Sequence, residues 1–170
     1  MASRWPSWQA HALFWPIAAG GLGLDLWTKK VMFERLEPND HIQIIPGFLR
    51  LITALNDGAA FSLASGKRPV LIGVSLVALI VILGLFLLGG KKTALTTVVL
   101  GLFAGGICGN LHDRAFNDGL VRDFIDVYVG THRWPTFNVA DTLLCVAVGL
   151  LLISAWTTGR PDQRRDRPQR

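Results

Sequence analysis

Four stretches of this chain contain no Asp, Glu, Lys or Arg: Arg4 to Asp25, Arg68 to Lys91, Lys92 to Asp113 and Asp141 to Arg160. Each is close to the roughly 20 apolar residues that a helix needs to cross ~30 Å of hydrocarbon. The pattern predicts a mainly α membrane protein, a bundle of four transmembrane helices in a single domain spanning residues 1–170. The spans are expected over about Ala10–Phe33, Pro69–Leu88, Thr93–Leu111 and Asn138–Thr158. Gly89-Gly90-Lys91-Lys92 makes a tight basic turn between the second and third. The N-terminus lacks a strong basic start and a small-residue cleavage site, so the first apolar stretch is expected to remain as a span.

Two longer polar segments remain, Glu34–Arg68 and His112–Phe137, and four spans put both on one side of the membrane. Within the first, residues 42–55 are rich in Ile, Leu and Phe and are broken by Pro46-Gly47. Pro fixes φ and Gly accepts positive φ, as the centre of a type II turn requires. Two short strands are expected here, at the membrane surface. They would serve either as a cap on the bundle or as an apolar face against lipid or a lipid-linked substrate. In the third span, Gly101, Gly105 and Gly109 recur every four residues, a spacing that lets two helices approach closely.

Composition agrees with this picture. Hydrophobic residues make up 51% of the chain, charged residues 17%, and the mean hydropathy is +0.40. That combination excludes intrinsic disorder and argues against an ordinary soluble enzyme. The net charge of +5 owes much to the tail at 159–170, where five Arg stand against two Asp. No aromatic residues interleave with those bases, so no nucleic-acid partner is expected. The compact Lys91-Lys92 turn and the Arg-rich tail, with Arg4, place both termini in the cytoplasm. The carboxylates then collect near the extracytoplasmic face. Cys108 and Cys145 sit in apolar stretches as small packing residues, although two cysteines leave a disulfide open.

Ionisable groups at bilayer depth are candidates for function. Asp25 and Lys29, spaced i and i+4, face one side of a helix and can neutralise each other as a structural pair, or Lys29 can snorkel to the interface. Asp141 lies one turn after Asn138 at the start of the fourth span. Either Asn138 caps the helix with Asp141 in its first turn, or Asp141 is a catalytic or ligand-binding carboxylate. Asp113, Asp118, Asp123 and Asp126 precede it, and spacing does not choose a partner among them. Asn56-Asp57-Gly58 reads as a turn, followed by small residues that would let a peptide backbone approach. The four histidines are scattered, and no HExxH, Gly-x-Ser-x-Gly or phosphate-binding loop is present. No metal or cofactor is expected. Carboxylates gathered at one face are the parts of an aspartic protease, in which two share one proton. The rival reading is a small ion- or proton-coupled transporter, which would need polar groups at the midplane or at both faces. A third is a membrane anchoring protein without chemistry.

Five ordered motifs carry a resemblance. They are Asp25 with Lys29, Asn56-Asp57-Gly58-Ala59-Ala60-Phe61, the run from Gly105 through Asn110 to Asp113-Arg114, Val121-Arg122-Asp123-Phe124, and Phe137-Asn138-Val139-Ala140-Asp141. Together they resemble the bacterial lipoprotein signal peptidases, the signal peptidase II type, from about Leu22 to Trp156. The resemblance implies four transmembrane helices with a small extracytoplasmic β-cradle, in the bacterial cytoplasmic (inner) membrane. It implies catalytic aspartates at Asp123 and Asp141, and supporting or substrate-binding roles for Asp25, Lys29, Asn56, Gly58, Asn110, Arg114 and Asn138. The implied reaction is hydrolysis of a prolipoprotein before its diacylglyceryl-modified cysteine, without a metal and in contact with membrane lipid. Two positions depart from the family pattern. Asp57 stands where Thr is more usual, and Arg122 where an apolar residue is common. Both would add charge near the site and could shift the aspartates' pKa values.

Overall fold

A computed structural model describes residues 6–58 and 66–158. Arg4, Ala59, Ala60, Phe61 and the basic tail at 159–170 lie outside the described residues. The elements run α1 (Trp8–Arg35), β1 (Ile42–Ile45), β2 (Leu49–Asn56), α2 (Arg68–Leu88), α3 (Ala94–Phe116), β3 (Val121–Val129), β4 (His132–Arg133) and α4 (Val139–Thr158). Among the described residues three helices, α2, α3 and α4, are long and apolar enough to cross a membrane. The longest, α1 with 28 residues, is less apolar than those three, with Gln9, His11, Asp25, Thr28, Lys29 and Lys30 along its length.

The bundle is organised around α3, which packs against α1, α4 and α2. Small residues bring the backbones together. A Cβ on Gly101 would lie 2.9 Å from the Ile17 side chain, and one on Gly105 would lie 2.9 Å from the Ala18 carbonyl oxygen. On the α4 side, a Cβ on Gly106 would lie 2.7 Å from the Ala140 carbonyl oxygen. At the end of the bundle nearest the Lys91-Lys92 turn, Phe14 of α1 stacks on Phe86 of α2 with ring centres 3.9 Å apart. Leu100 and Ala104 of α3 complete that core. Most of α2 faces outward with exposed apolar side chains, including Val74, Val77, Ile80 and Leu85, as suits a lipid-facing helix.

The sheet lies at the other end, with antiparallel order β1-β2-β3-β4. The first two strands form the expected hairpin. Gly47 has φ +75°, and the Phe48 N–H donates to the Ile45 carbonyl at 3.1 Å across the Pro46-Gly47 turn. Ile42, Ile44, Ile45 and Phe48 remain exposed on it.

Three sequence expectations need correction. The third span was expected to end at Leu111, yet α3 continues to Phe116, so Asp113 and Arg114 are helical and buried. The segment 112–137 was expected to be a polar connection, yet it contains β3 and β4. Asp123 and Asp126 are buried within β3, so polar residues occupy inward positions and the strand lacks the apolar alternation that marks one in sequence. Lys29 does not snorkel, since its side chain is fully buried.

The close contacts of α3 make a specific demand. Gly105→Val should destabilise the protein by about 1–3 kcal/mol, because the added methyls meet backbone that cannot move aside. Gly23→Ala, where nothing lies within 4 Å, should stay within about 0.5 kcal/mol of the parent. Melting temperatures of the detergent-solubilised proteins check this. Equal values for the two variants would show that the α1–α3 approach is not tight.

Candidate active site

The C-terminal ends of α1, α3 and β2 meet the N-terminal ends of β3 and α4. In α4, Asn138 and Asp141 cap each other. The Asp141 N–H donates to Asn138 Oδ1 at 3.0 Å, and the Asn138 N–H donates to Asp141 Oδ2 at 3.3 Å. The cap engages one carboxylate oxygen. The other, Oδ1, accepts from Asn110 Nδ2 of α3 at 2.8 Å. Capping and a further role for Asp141 are therefore compatible.

Asp123 comes from β3, opposite Ala54 of β2. It is 2% exposed. Its Oδ1 accepts from Asn138 Nδ2 at 2.6 Å and its Oδ2 from Asn56 Nδ2 at 3.0 Å. The amide orientations are set by their other partners. Gly58 N–H donates to Asn56 Oδ1, Asp141 N–H to Asn138 Oδ1, and the Lys29 ammonium to Asn110 Oδ1. All three NH2 groups are thereby turned towards the two carboxylates. The Asp123 carboxyl is pushed up to about 6: burial raises it most and the negative charge of Asp141 adds to this, while the Asn56 and Asn138 hydrogen bonds and the Lys29 charge hold it back.

A tier of buried ions lies behind this pair. Lys29 Nζ sits 2.7 Å from Asp25 Oδ2 and 3.2 Å from Asp113 Oδ2, and donates to Asn110 Oδ1 at 3.1 Å. Asp25 Oδ1 accepts the Ala140 N–H of α4 at 2.8 Å. Gly109 leaves room for this, since a Cβ there would strike the Asp25 carboxylate. Arg122 is turned away from the aspartate pair towards Asp113. Its Nη2 and Nε reach Asp113 Oδ1 at 2.6 and 3.2 Å, and its N–H donates to Asp113 Oδ2 at 2.9 Å. Arg114 is buried, with Nη2 donating to the Gly58 carbonyl at 3.0 Å.

Every candidate supporting residue, Asp25, Lys29, Asn56, Gly58, Asn110, Arg114 and Asn138, thus belongs to one connected network with Asp123 and Asp141. Asp126 does not join it. Three residues along a regular strand reverses the face, and Asp126 pairs instead with Arg50 at 2.6 Å. Asp118 is exposed in the turn after α3, and Asp57 is exposed next to Asn56. Asp113, on sequence only one of four possible partners for Asp141, joins the network instead as the ion partner of Lys29 and Arg122. It follows Asn110 by three positions and therefore shares its helix face.

A cavity of about 460 Å³ opens beside the network. Asn56, Asn110, Arg114 and Asp141 form its polar wall, and Trp134, Pro135, Phe137 and Leu144 part of its apolar wall. Asp123 lies one hydrogen bond behind the lining Asn56. Among the described residues, no group of three or more His, Cys, Asp or Glu side chains is arranged to hold a metal ion. The two cysteines are free, so no disulfide forms. One carboxylate facing a cavity beside a second, buried one can polarise a carbonyl and activate water.

Known proteins share this chain's sequence and fold. A lipoprotein signal peptidase of Geobacter metallireducens is 40% identical over 146 residues, covering 84% of this chain and 90% of that protein. One from Geobacillus kaustophilus is 38% identical over 154 residues, covering 89% and 97%. Among solved structures, a bacterial membrane enzyme aligns over 100% of this chain and 99% of its own, with 25% identity and a TM-score of 0.78. A second, also described as a bacterial membrane enzyme, aligns over 91% and 96% with 27% identity and a TM-score of 0.72. The sequence pattern of the Signal peptidase (SPase) II family matches residues 17–157, and the chain belongs to that family.

Proposed function

We propose that this protein removes signal peptides from prolipoproteins, cutting before a diacylglyceryl-modified cysteine, with Asp123 and Asp141 as an aspartic-protease pair. The observation that carries the reading is the joint held by Asn138, which bonds the buried Asp123 through its amide and Asp141 through its backbone N–H. Neither carboxylate forms an ion pair with any described cation.

Charge counting supports one shared proton. The network holds four carboxylates (Asp25, Asp113, Asp123 and Asp141) against three cations (Lys29, Arg114 and Arg122). Uncompensated charge in a low-dielectric site is expensive, so neutrality requires one proton on a carboxylate. Asp25 and Asp113 each face a cation, Lys29 or Arg122, whereas neither Asp123 nor Asp141 does, which favours the catalytic pair as the place for the proton. In the reaction, Asp141 reaches the cavity and takes a proton from water. The protonated partner hydrogen-bonds the scissile carbonyl as the water oxygen attacks. Collapse of the tetrahedral intermediate passes a proton to the leaving amine and frees the signal peptide as a carboxylic acid. The apolar wall of Trp134, Pro135, Phe137 and Leu144 suits the side chains and lipid around the modified cysteine.

The setting is a bacterial cytoplasmic membrane, with α1 as the fourth span. Its Phe14 end packs near the Lys91-Lys92 turn, and its Asp25–Lys29 end joins the catalytic network. The positive-inside rule assigns that turn and both termini to the cytoplasm. The site then opens near the extracytoplasmic face. There the exposed Ile42, Ile44, Ile45 and Phe48 of the β-cradle meet lipid and the lipidated substrate.

Asp123→Asn and Asp141→Asn should each fold yet lose at least about 100-fold in cleavage of a diacylglyceryl-cysteine substrate. The double variant should be little worse than either single change. Asp126→Asn should keep activity while losing the stability of its Arg50 pair. An active Asp123→Asn with an inactive Asp126→Asn would sink the assignment.

Two effects of pH follow from the raised Asp123 pKa. Since the reactive form holds one proton, kcat/KM should decline as pH rises through about 6. Stability should follow the same direction. A carboxyl raised from 3.8 to about 6 favours the fold below the lower value and loses that advantage, roughly 3 kcal/mol, as pH climbs through the upper one. Melting curves from pH 4 to 8 should therefore fall in the parent and flatten in Asp123→Asn. Parallel curves for the two proteins would contradict the buried, shared proton.

A further inference from the structure

A second cavity lies at the opposite end of the bundle from the aspartates. It measures about 440 Å³ and is walled by α2, α3 and α4. Lys91 and Lys92 of the α2–α3 turn and Thr96 of the first turn of α3 supply its polar lining, while Ile82, Phe103 and Leu151 supply apolar surface from the three helices. One hollow thus joins a cationic, hydroxyl-bearing rim to an apolar wall on helices that are long and apolar enough to cross a membrane.

The charge at the rim is unbalanced. No Asp or Glu occurs from Arg68 to His112, before Asp25, or between Asp141 and Arg160. No described carboxylate lies within ion-pair distance of Lys91 or Lys92. The Lys92 ammonium is held in place by the Gly90 carbonyl at 2.9 Å and lies 5.8 Å from the centre of the Phe86 ring. Neither contact neutralises it. Lys91 is exposed beside it. The first turn of α3 begins at the same rim, with Thr93 capping Thr96 N–H, and its positive dipole end adds to the field. Basic pockets between membrane helices suit anionic lipid head groups, because a phosphate supplies the missing charge while acyl chains cover the apolar wall.

We propose that this cavity is a binding site for an anionic phospholipid of the adjoining leaflet. The phosphate sits on Lys91, Lys92 and the Thr96 hydroxyl, and an acyl chain lies along Ile82, Phe103 and Leu151. The lipid bridges the α2–α3 turn and Leu151 of α4. The proposal depends on the membrane setting of α2, α3 and α4 and not on the catalytic reading.

The test is a thermal titration of the full chain in neutral detergent with phosphatidylglycerol, phosphatidylcholine or inorganic phosphate. Phosphatidylglycerol should raise the melting temperature by about 5 °C, with little effect from the other two. Lys91→Gln with Lys92→Gln should abolish the rise. Leu151→Trp, which fills the apolar wall and leaves the charges, should abolish most of it. Lys30→Gln, an exposed lysine paired with Glu34 on α1, should leave it intact. An equal rise with phosphatidylcholine would overturn the charge recognition. An equal rise with inorganic phosphate would make this a phosphate site and not a lipid site. Full retention in either cavity variant would mean that the lipid binds elsewhere.

Discussion

A lysine ammonium with no exposed surface survives only where carboxylates and amides close around it, and Lys29 sets that condition for this fold. Asp25 on its own helix, Asp113 on α3 and the Asn110 side chain all meet at its Nζ. Removing either carboxylate would leave charge buried without compensation, a loss of several kcal/mol in typical proteins, and removing the amide would leave one ammonium hydrogen bond unmade. The position of α1 against α3 is therefore fixed by electrostatics at one end and by glycine contacts along its length. Asp25 carries the constraint to α4 by accepting the Ala140 N–H, one residue before Asp141. Asn110 carries it directly to the Asp141 carboxylate. The ion cluster thus positions Asp123 and Asp141 without placing a cation on either.

Under the proposed mechanism that separation has a chemical use. A cation placed on either aspartate would hold it ionised and deny the pair its shared proton. Here the cations neutralise Asp25 and Asp113, while neutral asparagines orient Asp123 and Asp141. Asparagine can donate to a carboxylate without adding charge, so geometry is fixed and the proton is left to move. Arg122 follows the same logic. Although adjacent to Asp123 in sequence, it donates from both Nε and Nη2 to Asp113 and pins the start of β3 to the end of α3.

Much of this was legible in the chain. The Asp25–Lys29 spacing, the Pro46-Gly47 hairpin, the glycine ladder of α3 and the Asn138–Asp141 cap all depend on residues close in sequence, and local geometry fixes their relations. The end of α3 was not legible, because Asp113 and Arg114 resemble the charges that follow a span. Their partners, Lys29 and the Gly58 carbonyl, are distant in sequence. β3 escaped for a related reason, since its buried aspartates break the alternation that marks a half-buried strand. Which acid pairs with Asp141 was likewise open to physical reasoning. The choice depends on β2–β3 register and on Arg50 taking Asp126.

The central claim is that one proton is shared by the Asp123–Asp141 pair in the resting protein. Infrared difference spectroscopy between pH 5 and pH 8, with carboxyl groups labelled by carbon-13 aspartate, reads that proton directly. The account predicts a protonated carboxyl band that titrates near 6, disappears in Asp123→Asn, shifts in Asp141→Asn and persists unchanged in Asp126→Asn. A band that titrates near 4, or one that survives unaltered in both Asp123→Asn and Asp141→Asn, would contradict it.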